Sequence, residues 1–347
     1  MLDKTYGVDT MVLLDASNRY FYSNIATSYG AVVLNDNQKY LITDVRYAEY
    51  AKQNSGEFKV VVLQQGQDLF KTLAEIAVSL DSKSVGYEYK TILKSSFDKL
   101  ASTIKCKLVP ISSALDQDMA IKREYMIANM QQAQNIAEKS LDKVRNIIKV
   151  GVTEHELATQ LAYEMSSLGA SGPSFDIIVA FGENSAYPHH SPTQRKLKKT
   201  DIILIDMGAK YNGFCSDMTR TFCIGDVEPE LQKIHSLVLQ SQEYALSKIK
   251  AGLRCNYVDS LSREYLKANG YADKFVHSLG HGIGVVVHEY PRISSLSEDV
   301  LQSDMVITVE PGVYINGLGG VRIEDMILVQ KDGIYNFANY NKSLYLS

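Results

Sequence analysis

Four acidic residues stand at the end of, or within, apolar stretches that have the pattern of β-strands: Asp206, Asp217, Glu310 and Glu324. Asp206 ends an unbroken aliphatic run at 202–205, which is typical of a strand covered on both faces. In residues 321–324 the two-residue period of a strand places Arg322 and Glu324 on one face. An acid in such a setting is unfavourable unless a charged partner compensates it. A surface salt bridge would explain one such acid, but four of them indicate a shared cationic partner.

Histidines gather in residues 275–294, which hold three of the seven in the chain: His277, His281 and His288. Glycines at 280, 282 and 284 leave room beside His281 for another segment, a metal ion or a substrate. The β-branched residues 285–287 predict a strand that leads to His288. No Glu follows His277, so the helical HExxH zinc motif is excluded. One isolated histidine would be interpreted as structural, but this grouping favours chemistry.

The four acids and His281 together predict a site for two divalent metal ions. Clustered carboxylates raise one another's pKa and cannot all ionise without a strong cation nearby. Oxygen ligands with one imidazole suit manganese, cobalt or zinc better than a thiolate site does. The four cysteines are scattered without a CxxC pair, which predicts reduced and mostly buried thiols.

The composition is that of an ordinary folded protein. The 347 residues are 45% hydrophobic, which is enough for a sizeable core in each of about two domains. A net charge of -4 gives no basic surface for nucleic acid or an anionic membrane, so peptide or small-molecule substrates are favoured. The N-terminus lacks a signal-peptide pattern, and no apolar stretch approaches the roughly 20 residues that span a bilayer. We therefore expect a cytoplasmic location.

Pro110 and the serines after it interrupt the pattern of strands and helices, which predicts two domains, 1–113 and 114–347. The first alternates strand-like and helix-like segments and contains no cluster of His, Cys or carboxylates. It is therefore predicted to be an α/β domain that shapes the site or pairs subunits.

The second domain is predicted to begin with one long amphipathic helix over residues 120–150. Thr153 and Glu156 then have the spacing of a capping box, which predicts the start of another helix. Asp217 is predicted to lie inside a single strand over residues 214–223.

At these positions the sequence resembles the pita-bread metallopeptidases (M24), which include Xaa-Pro aminopeptidase, prolidase and methionine aminopeptidase. All five ligand positions match the family in residue type and order: Asp206, Asp217, His281, Glu310 and Glu324. The resemblance covers about residues 115–345 through these motifs and, more weakly, the first 113. It implies an α+β fold with a C-terminal pita-bread (creatinase/aminopeptidase) domain and an N-terminal α/β creatinase-type domain.

The resemblance implies a role for each ligand. Asp206 would bind one metal ion, and Asp217 and Glu324 would bridge two. His281 and Glu310 would bind the second ion. A water bridging the metals would attack the scissile carbonyl, and Glu310 would pass on its proton. Manganese is the preferred metal, with cobalt or zinc as alternatives.

Further side chains match positions around the family's substrate. His189 matches the catalytic histidine ahead of the first Asp and is preferred over His190 because it directly follows a proline. His288 matches the histidine that donates to the carbonyl side of the scissile bond. Four residues are expected to contact the substrate or orient the site: Phe175, His277, Arg292 and Arg322. A surface role for Arg292 and a core role for Phe175 are the alternatives.

The implied reaction is hydrolysis of the Xaa-Pro bond at the N-terminus of a peptide that carries proline second. The N-terminal domain and His277 favour this proline-specific branch over methionine aminopeptidase. Within it Xaa-Pro aminopeptidase is preferred, with prolidase (Xaa-Pro dipeptidase) as the alternative. The resemblance also implies a homodimer formed through the N-terminal domain.

Two other classes stay open as alternatives, a non-catalytic pita-bread binding module and a creatinase-like hydrolase. Both typically lose the metal ligands, whereas none of the five is missing here. The sequence therefore predicts a metal-dependent peptidase.

Overall fold

The computed structural model describes residues 2–345, which fold as two units, Met1–Met119 and Ala120–Ser347. The boundary predicted after residue 113 lies in the first turn of the helix Ser112–Ala120. None of the helices within 2–345 is long and apolar enough to cross a membrane.

The first unit is built on one six-stranded mixed sheet. Its strands are β1 Thr10–Leu13, β2 Ala31–Asn35, β3 Lys39–Asp44, β4 Lys59–Leu63, β5 Ser84–Tyr87 and β6 Lys107–Pro110. Its helices are α1 Leu2–Tyr6, α2 Ala16–Ser23, α3 Ala48–Asn54, α4 Leu69–Ser79, α5 Lys94–Thr103 and α6 Ser112–Ala120. The sheet order is β4-β3-β2-β1-β5-β6, and β2 is antiparallel to both of its neighbours while the other three pairs are parallel.

Alternate residues of β1 supply two apolar layers, because successive side chains of a strand point to opposite faces. Val12 joins a core with α4 and α5, whereas Met11 and Leu13 join a core that includes Ala51 of α3 and Leu115 of α6. This arrangement confirms the predicted α/β domain.

Over residues 120–345 the second unit combines four α-helices with four antiparallel sheets. Its helices are α7 Glu124–Val144, α8 Glu154–Ser167, α9 Pro229–Leu246 and α10 Cys255–Ala268. Its strands are β7 Gly172–Pro173, β8 Ile178–Phe181, β9 Ile202–Met207, β10 Ala209–Tyr211, β11 Phe214–Cys215, β12 Met218–Cys223, β13 Gly280–Gly282, β14 Glu289–Ile293, β15 Val306–Val309, β16 Gly312–Ile315, β17 Gly319–Arg322, β18 Asp325–Gln330 and β19 Gly333–Asn336. The sheets are β14-β13-β15-β18-β19, β12-β9-β8, β11-β10-β7 and the hairpin β16-β17.

Two apolar cores fix these sheets. In one, α7 and α8 pack on β8, β9 and β12, and Ile203 and Ile205 contribute from β9. In the other, α9 and α10 pack on β15 and β18, with Ile307 and Ile327 at the contact. The strands that carry the predicted ligands are therefore each backed by a helical layer.

The single helix predicted over 120–150 is wrong. Residues 121–123 are extended, because Ile121 bridges to Met305 and Lys122 N donates to Asp304 O at 2.8 Å. These tertiary backbone bonds replace the helical ones, so α7 begins only at Glu124. It ends at Val144 and is followed by a short 3-10 turn.

Two predicted strands are broken in the structure. The strand over 214–223 is interrupted at Ser216 and Asp217, where a tight approach brings Ser216 O to within 1.8 Å of where a Cβ on Gly208 would lie. The strand over 321–324 ends at Arg322, because Glu324 N donates instead to Thr219 O at 3.1 Å. The strand that delivers Asp206 is confirmed as β9.

Residues 285–287, predicted to be a strand, form a bend. Gly284 N donates to Val286 O at 3.0 Å, and Val286 N donates to the Glu289 carboxylate at 3.0 Å. These local bonds outweigh the β-propensity of the valines.

The capping box at the start of α8 is confirmed. Thr153 Oγ1 accepts from Glu156 N at 3.1 Å, and Glu156 Oε2 accepts from Thr153 N at 2.8 Å.

Thr153→Ala is expected to lower the free energy of unfolding by about 1 kcal/mol, because one backbone N–H loses its acceptor. Chemical denaturation measures the loss. The control is Thr159→Ala on the same helix, since Thr159 is exposed and caps nothing; equal losses in both variants would contradict the capping role.

Candidate active site

One cleft of about 660 Å³ in the second unit is lined by every site residue that the sequence predicts. These are Phe175, His189, Asp206, Asp217, His277, His281, His288, Arg292, Glu310, Arg322 and Glu324. His190 lines it as well.

Strands β9 and β12 supply the first two acids. Asp206 lies directly opposite Thr219 in the pairing, so both side chains leave the sheet on one face. Asp217 precedes β12 by one residue. It is nearly fully buried, with 4% of its surface exposed.

Strands β13 and β15 place the next two ligands side by side. His281 N donates to Thr308 Oγ1 at 3.1 Å, and Thr308 Oγ1 donates to Glu310 Oε1 at 3.2 Å. Gly280 permits this approach, since a Cβ there would lie 2.0 Å from Thr308 O. The glycine predicted to make room therefore makes room for a neighbouring strand.

The His281 ring is oriented as a neutral ligand. Its Nδ1 donates to Gly282 O at 3.0 Å, which leaves the Nε2 lone pair 3.4 Å from Glu310 Oε1 and 3.7 Å from Asp217 Oδ2. Burial, with the nearby His288, lowers the pKa of His281 to about 4. A backbone acceptor on one ring nitrogen is the usual way to fix the tautomer of a metal-binding histidine.

The carboxylates oppose one another's ionisation. Burial and the neighbouring acids raise the pKa of Asp217 and of Glu324 well above their ordinary values. Burial raises the pKa of Glu310 to about 8, and the nearby carboxylate of Asp206 acts in the same direction. These shifts are what clustered, desolvated carboxylates show when positive charge is insufficient.

Arg322 is the one guanidinium among the cleft's buried side chains in residues 2–345. Its Nη2 donates to Asp206 Oδ2 at 2.6 Å and its Nε to Thr219 Oγ1 at 3.0 Å. Thr219 Oγ1 in turn donates to Glu324 Oε2 at 2.6 Å. Burial opposes the charge of Arg322, but Tyr314 and the acids outweigh it and raise the pKa of the guanidinium.

The residues fit divalent metal ions. Asp217, His281 and Glu324 each offer a ligand atom, and these atoms lie within 4.8 Å of one another. Among the described residues, Asp206 Oδ1 and Asp217 Oδ1 are buried and have no hydrogen-bond donor. Buried oxygens without donors, beside an imidazole lone pair, are the donor set that an oxygen-preferring divalent cation requires.

Tyr314 was not predicted, although it connects two predicted residues. Its hydroxyl accepts from Arg322 Nη1 at 2.8 Å and lies 2.9 Å from His277 Nε2. Because His277 Nδ1 donates to Ser278 O at 2.8 Å, Nε2 must accept from Tyr314. His277 therefore has both nitrogens engaged, and burial lowers its pKa to about 3.

The remaining histidines separate into two groups. His189 and His288 are exposed to the cleft, and the His288 ring packs edge-on to His281 with 4.3 Å between centroids. His190 instead donates from Nε2 to the buried Glu154 at 2.9 Å. His189 is thus the one of the two neighbours that stays accessible.

Phe175 and Arg292 also line the cleft. Arg292 is opposite His281 in the β13–β14 pairing, and it is exposed, with its Nε donating to Ser278 Oγ at 2.8 Å. Phe175 is half-buried and offers an apolar wall.

Several supporting residues were missed, and some of them had a sequence signal. Thr219 and Thr308 each lie two residues from a predicted acid, so the two-residue period of a strand would have placed them on the ligand face. Lys122 and Glu289 form a buried ion pair at 2.9 Å beneath the bend before His288. No local pattern links those two residues.

Comparison with known proteins places this geometry in context. Residues 128–331 match the model of metallopeptidase family M24, and residues 3–118 match that of the creatinase/prolidase N-terminal domain. The Xaa-Pro dipeptidase of Pyrococcus furiosus is 33% identical over 342 residues, which are 97% of this chain and 95% of the relative.

Solved structures agree over nearly the whole chain. The Xaa-Pro dipeptidase from Bacillus anthracis is 34% identical with a TM-score of 0.95, covering 99% of this chain and 97% of that one. The X-Pro aminopeptidase from Thermotoga maritima is 34% identical with a TM-score of 0.93, covering 99% of both chains. These matches confirm the predicted fold, a pita-bread domain preceded by a creatinase-type domain.

Lys122→Met is expected to lower the free energy of unfolding by about 3–5 kcal/mol, because the Glu289 carboxylate stays buried without its ammonium partner. The side chains of this pair are 1% and 6% exposed. Lys143→Met is the control, since the Lys143–Glu164 pair is 47% and 15% exposed and should cost less than about 1 kcal/mol. Similar losses in the two variants, measured by denaturation, would show that the buried pair is not special.

In metal-free protein Asp217→Asn is expected to raise the melting temperature, because it removes one of several repelling carboxylates. Added manganese should then raise the melting temperature of the wild type more than that of the variant, since ions at about 100 times Kd stabilise by about 2.7 kcal/mol.

The control for this test is Asp325→Asn. Asp325 is equally buried but is paired with Arg220 at 2.9 Å and with Lys342. The Asp325→Asn substitution should therefore destabilise the protein with or without metal. If Asp217→Asn destabilises the metal-free protein as much, the repulsion argument is wrong.

Proposed function

Because the chain belongs to metallopeptidase family M24, we propose that it is an Xaa-Pro dipeptidase (prolidase) that requires two divalent metal ions. The chain is a hydrolase that acts on peptides, and its N-terminal unit is of the creatinase/prolidase type. Named dipeptidases that are 33% and 34% identical over almost the whole chain support this choice. It reverses the preference for an aminopeptidase that the sequence suggested.

The observation that carries the proposal is the exposed guanidinium of Arg292 beside the metal ligands. It lies across from His281 on the neighbouring strand, so it faces the same side of the sheet. Only its Nε has a protein partner among the described residues, the Ser278 hydroxyl. A planar guanidinium with free N–H groups binds a carboxylate in two-point fashion, and a dipeptide substrate carries a free carboxylate on the residue that follows its only peptide bond.

The metal ions would be held by Asp206, Asp217, His281, Glu310 and Glu324, with roles as the family resemblance implies. Bound there, they would supply Lewis acidity and a water of lowered pKa. Manganese is the metal that we propose. The homodimer and the cytoplasmic location stay predictions.

The protein's own groups complete the reaction. Glu310, held by Thr308, accepts the proton of the attacking water and returns it to the leaving nitrogen. His288 and His189 both line the cleft and donate to the developing oxyanion and to the substrate. Arg322 orients Asp206 by donating a hydrogen bond to its carboxylate, while Phe175 offers an apolar surface for the proline ring.

Xaa-Pro aminopeptidase is the second candidate. The T. maritima X-Pro aminopeptidase is as similar in sequence as the B. anthracis dipeptidase, at 34% identity. Substrate length decides between the two activities.

Substrate length is tested with Ala-Pro, Ala-Pro-amide and Ala-Pro-Ala. We expect Ala-Pro to be the best substrate and its amide to lose about 10- to 100-fold in kcat/KM, the value of one charge-assisted hydrogen bond. Arg292→Gln should remove most of the difference between acid and amide, because it deletes the positive charge. Preferred cleavage of Ala-Pro-Ala after its first residue would instead establish an aminopeptidase.

The two histidines are tested by His288→Ala and His189→Ala. Each is expected to lower kcat about 100- to 1000-fold, the usual effect of removing a donor to the transition state. His155→Ala is the control, because His155 is exposed at the start of α8 and does not line the cleft. Full activity in either cleft variant would remove that histidine from the mechanism.

A further inference from the structure

Glu154 is a buried carboxylate that belongs neither to the predicted metal ligands nor to the predicted substrate contacts. It is the first residue of α8, and its relative exposure is 0%. Three other buried acids, Asp201, Asp259 and Asp325, each have an arginine partner, whereas Glu154 is surrounded by hydrogen-bond donors from another segment. Its surroundings indicate a role in ordering a neighbouring segment.

That segment is the histidine loop, defined as residues 181–193, which carries His189. Five hydrogen bonds from it converge on the Glu154 carboxylate: from Phe181 N at 2.8 Å, Asn184 Nδ2 at 2.9 Å, His190 Nε2 at 2.9 Å, Thr193 N at 3.0 Å and Thr193 Oγ1 at 2.6 Å. Burial alone would raise the pKa of Glu154, but these donors, led by Thr193 and His190, outweigh it and lower the pKa. The acceptor is therefore an ionised carboxylate, whose hydrogen bonds are about twice as strong as neutral ones.

The bonds hold the loop at both of its ends. Phe181 is the last residue of β8 and Thr193 is the last residue of the loop, so one side chain, that of Glu154, joins the two ends of this thirteen-residue segment. The backbone of α8 adds to this, since His155 N donates to Thr193 O at 3.0 Å. On the opposite side, Ser185 Oγ accepts from Gly320 N of β17 at 2.8 Å.

The His190 side chain takes part in this anchoring, whereas the side chain of its neighbour His189 does not. With Nε2 bound to Glu154, His190 cannot present that nitrogen to a substrate. His189, one residue earlier, remains exposed in the cleft. The anchoring of one histidine thus determines which of the two faces the reaction.

We infer that Glu154 is a positioning residue that acts through the histidine loop to hold His189 against the substrate. This inference rests on the proposed function, in which His189 contacts the reacting peptide. It requires no metal contact by Glu154.

Glu154→Gln tests the inference with Ala-Pro as substrate. The amide keeps the size of the side chain, but its NH2 group cannot accept from His190 or Thr193. We expect kcat to fall about 10- to 100-fold, as small misplacements of catalytic groups do, with KM changed less than about threefold. Glu156→Gln is the matched control two residues along the same helical turn. It removes one carboxylate charge without touching the histidine loop, and its amide oxygen can still accept from Thr153 N, so it should leave both stability and kcat nearly unchanged.

The double variant Glu154→Gln/His189→Ala separates positioning from general damage. If Glu154 acts through His189, the double variant should be no slower than His189→Ala alone, because coupled residues are not additive. Multiplied losses would overturn the inference, as would an unchanged kcat in folded Glu154→Gln. If Glu154→Gln does not fold, Thr193→Val removes a single donor and must show a smaller loss, also absent in the His189→Ala background.

Amide hydrogen exchange provides a readout that does not depend on activity. Residues 181–193 should exchange faster in Glu154→Gln than in Glu156→Gln, while the rest of the second unit stays unchanged. Unchanged exchange in the loop would overturn the inference. If the wild type cleaves no Xaa-Pro peptide, the proposed function fails, and exchange alone then decides whether Glu154 anchors the loop.

Discussion

The gathering of four carboxylates around one imidazole imposes the main constraint on this fold. Burial and mutual repulsion raise the pKa of Asp217, Glu310 and Glu324. The guanidinium of Arg322 donates directly only to the fourth acid, Asp206. A chain does not place like charges together unless a cation joins them. The centre is therefore assembled in a form that metal ions complete.

The chain treats its other buried acids differently. Asp325, adjacent to Glu324, is paired with Arg220 and Lys342. Burial alone would raise the pKa of Asp325, but these two cations outweigh it and the pKa is lowered. Glu289 is paired with Lys122 beneath the bend that precedes His288. Glu154 is satisfied by five donors. These compensated acids orient the strands and loops that surround the ligands.

The ligands themselves could be predicted, and much of their support could not. Asp206 was predictable because an aliphatic run with an acid at its end is a local pattern, and the structure has that run as β9. The bend at 285–287 was not, because the Glu289 carboxylate and Gly284 override the β-propensity of three valines. Tyr314 and Glu154 act through partners 8 to 39 residues away, and no short motif contains both ends of such a contact. The choice between His189 and His190 likewise depends on Glu154, which lies a whole helix earlier in the chain.

Metal content measured directly on the purified chain tests the central claim, that this cluster is a dinuclear metal centre. The protein would be stripped with a chelator, reloaded with manganese, dialysed and analysed for bound metal beside Asp217→Asn, with circular dichroism to confirm that both are folded. We expect about two ions per wild-type chain, as in two-metal hydrolases, and a clear loss in the variant. A folded wild type that retains no metal, or the same metal content in Asp217→Asn, would contradict the claim.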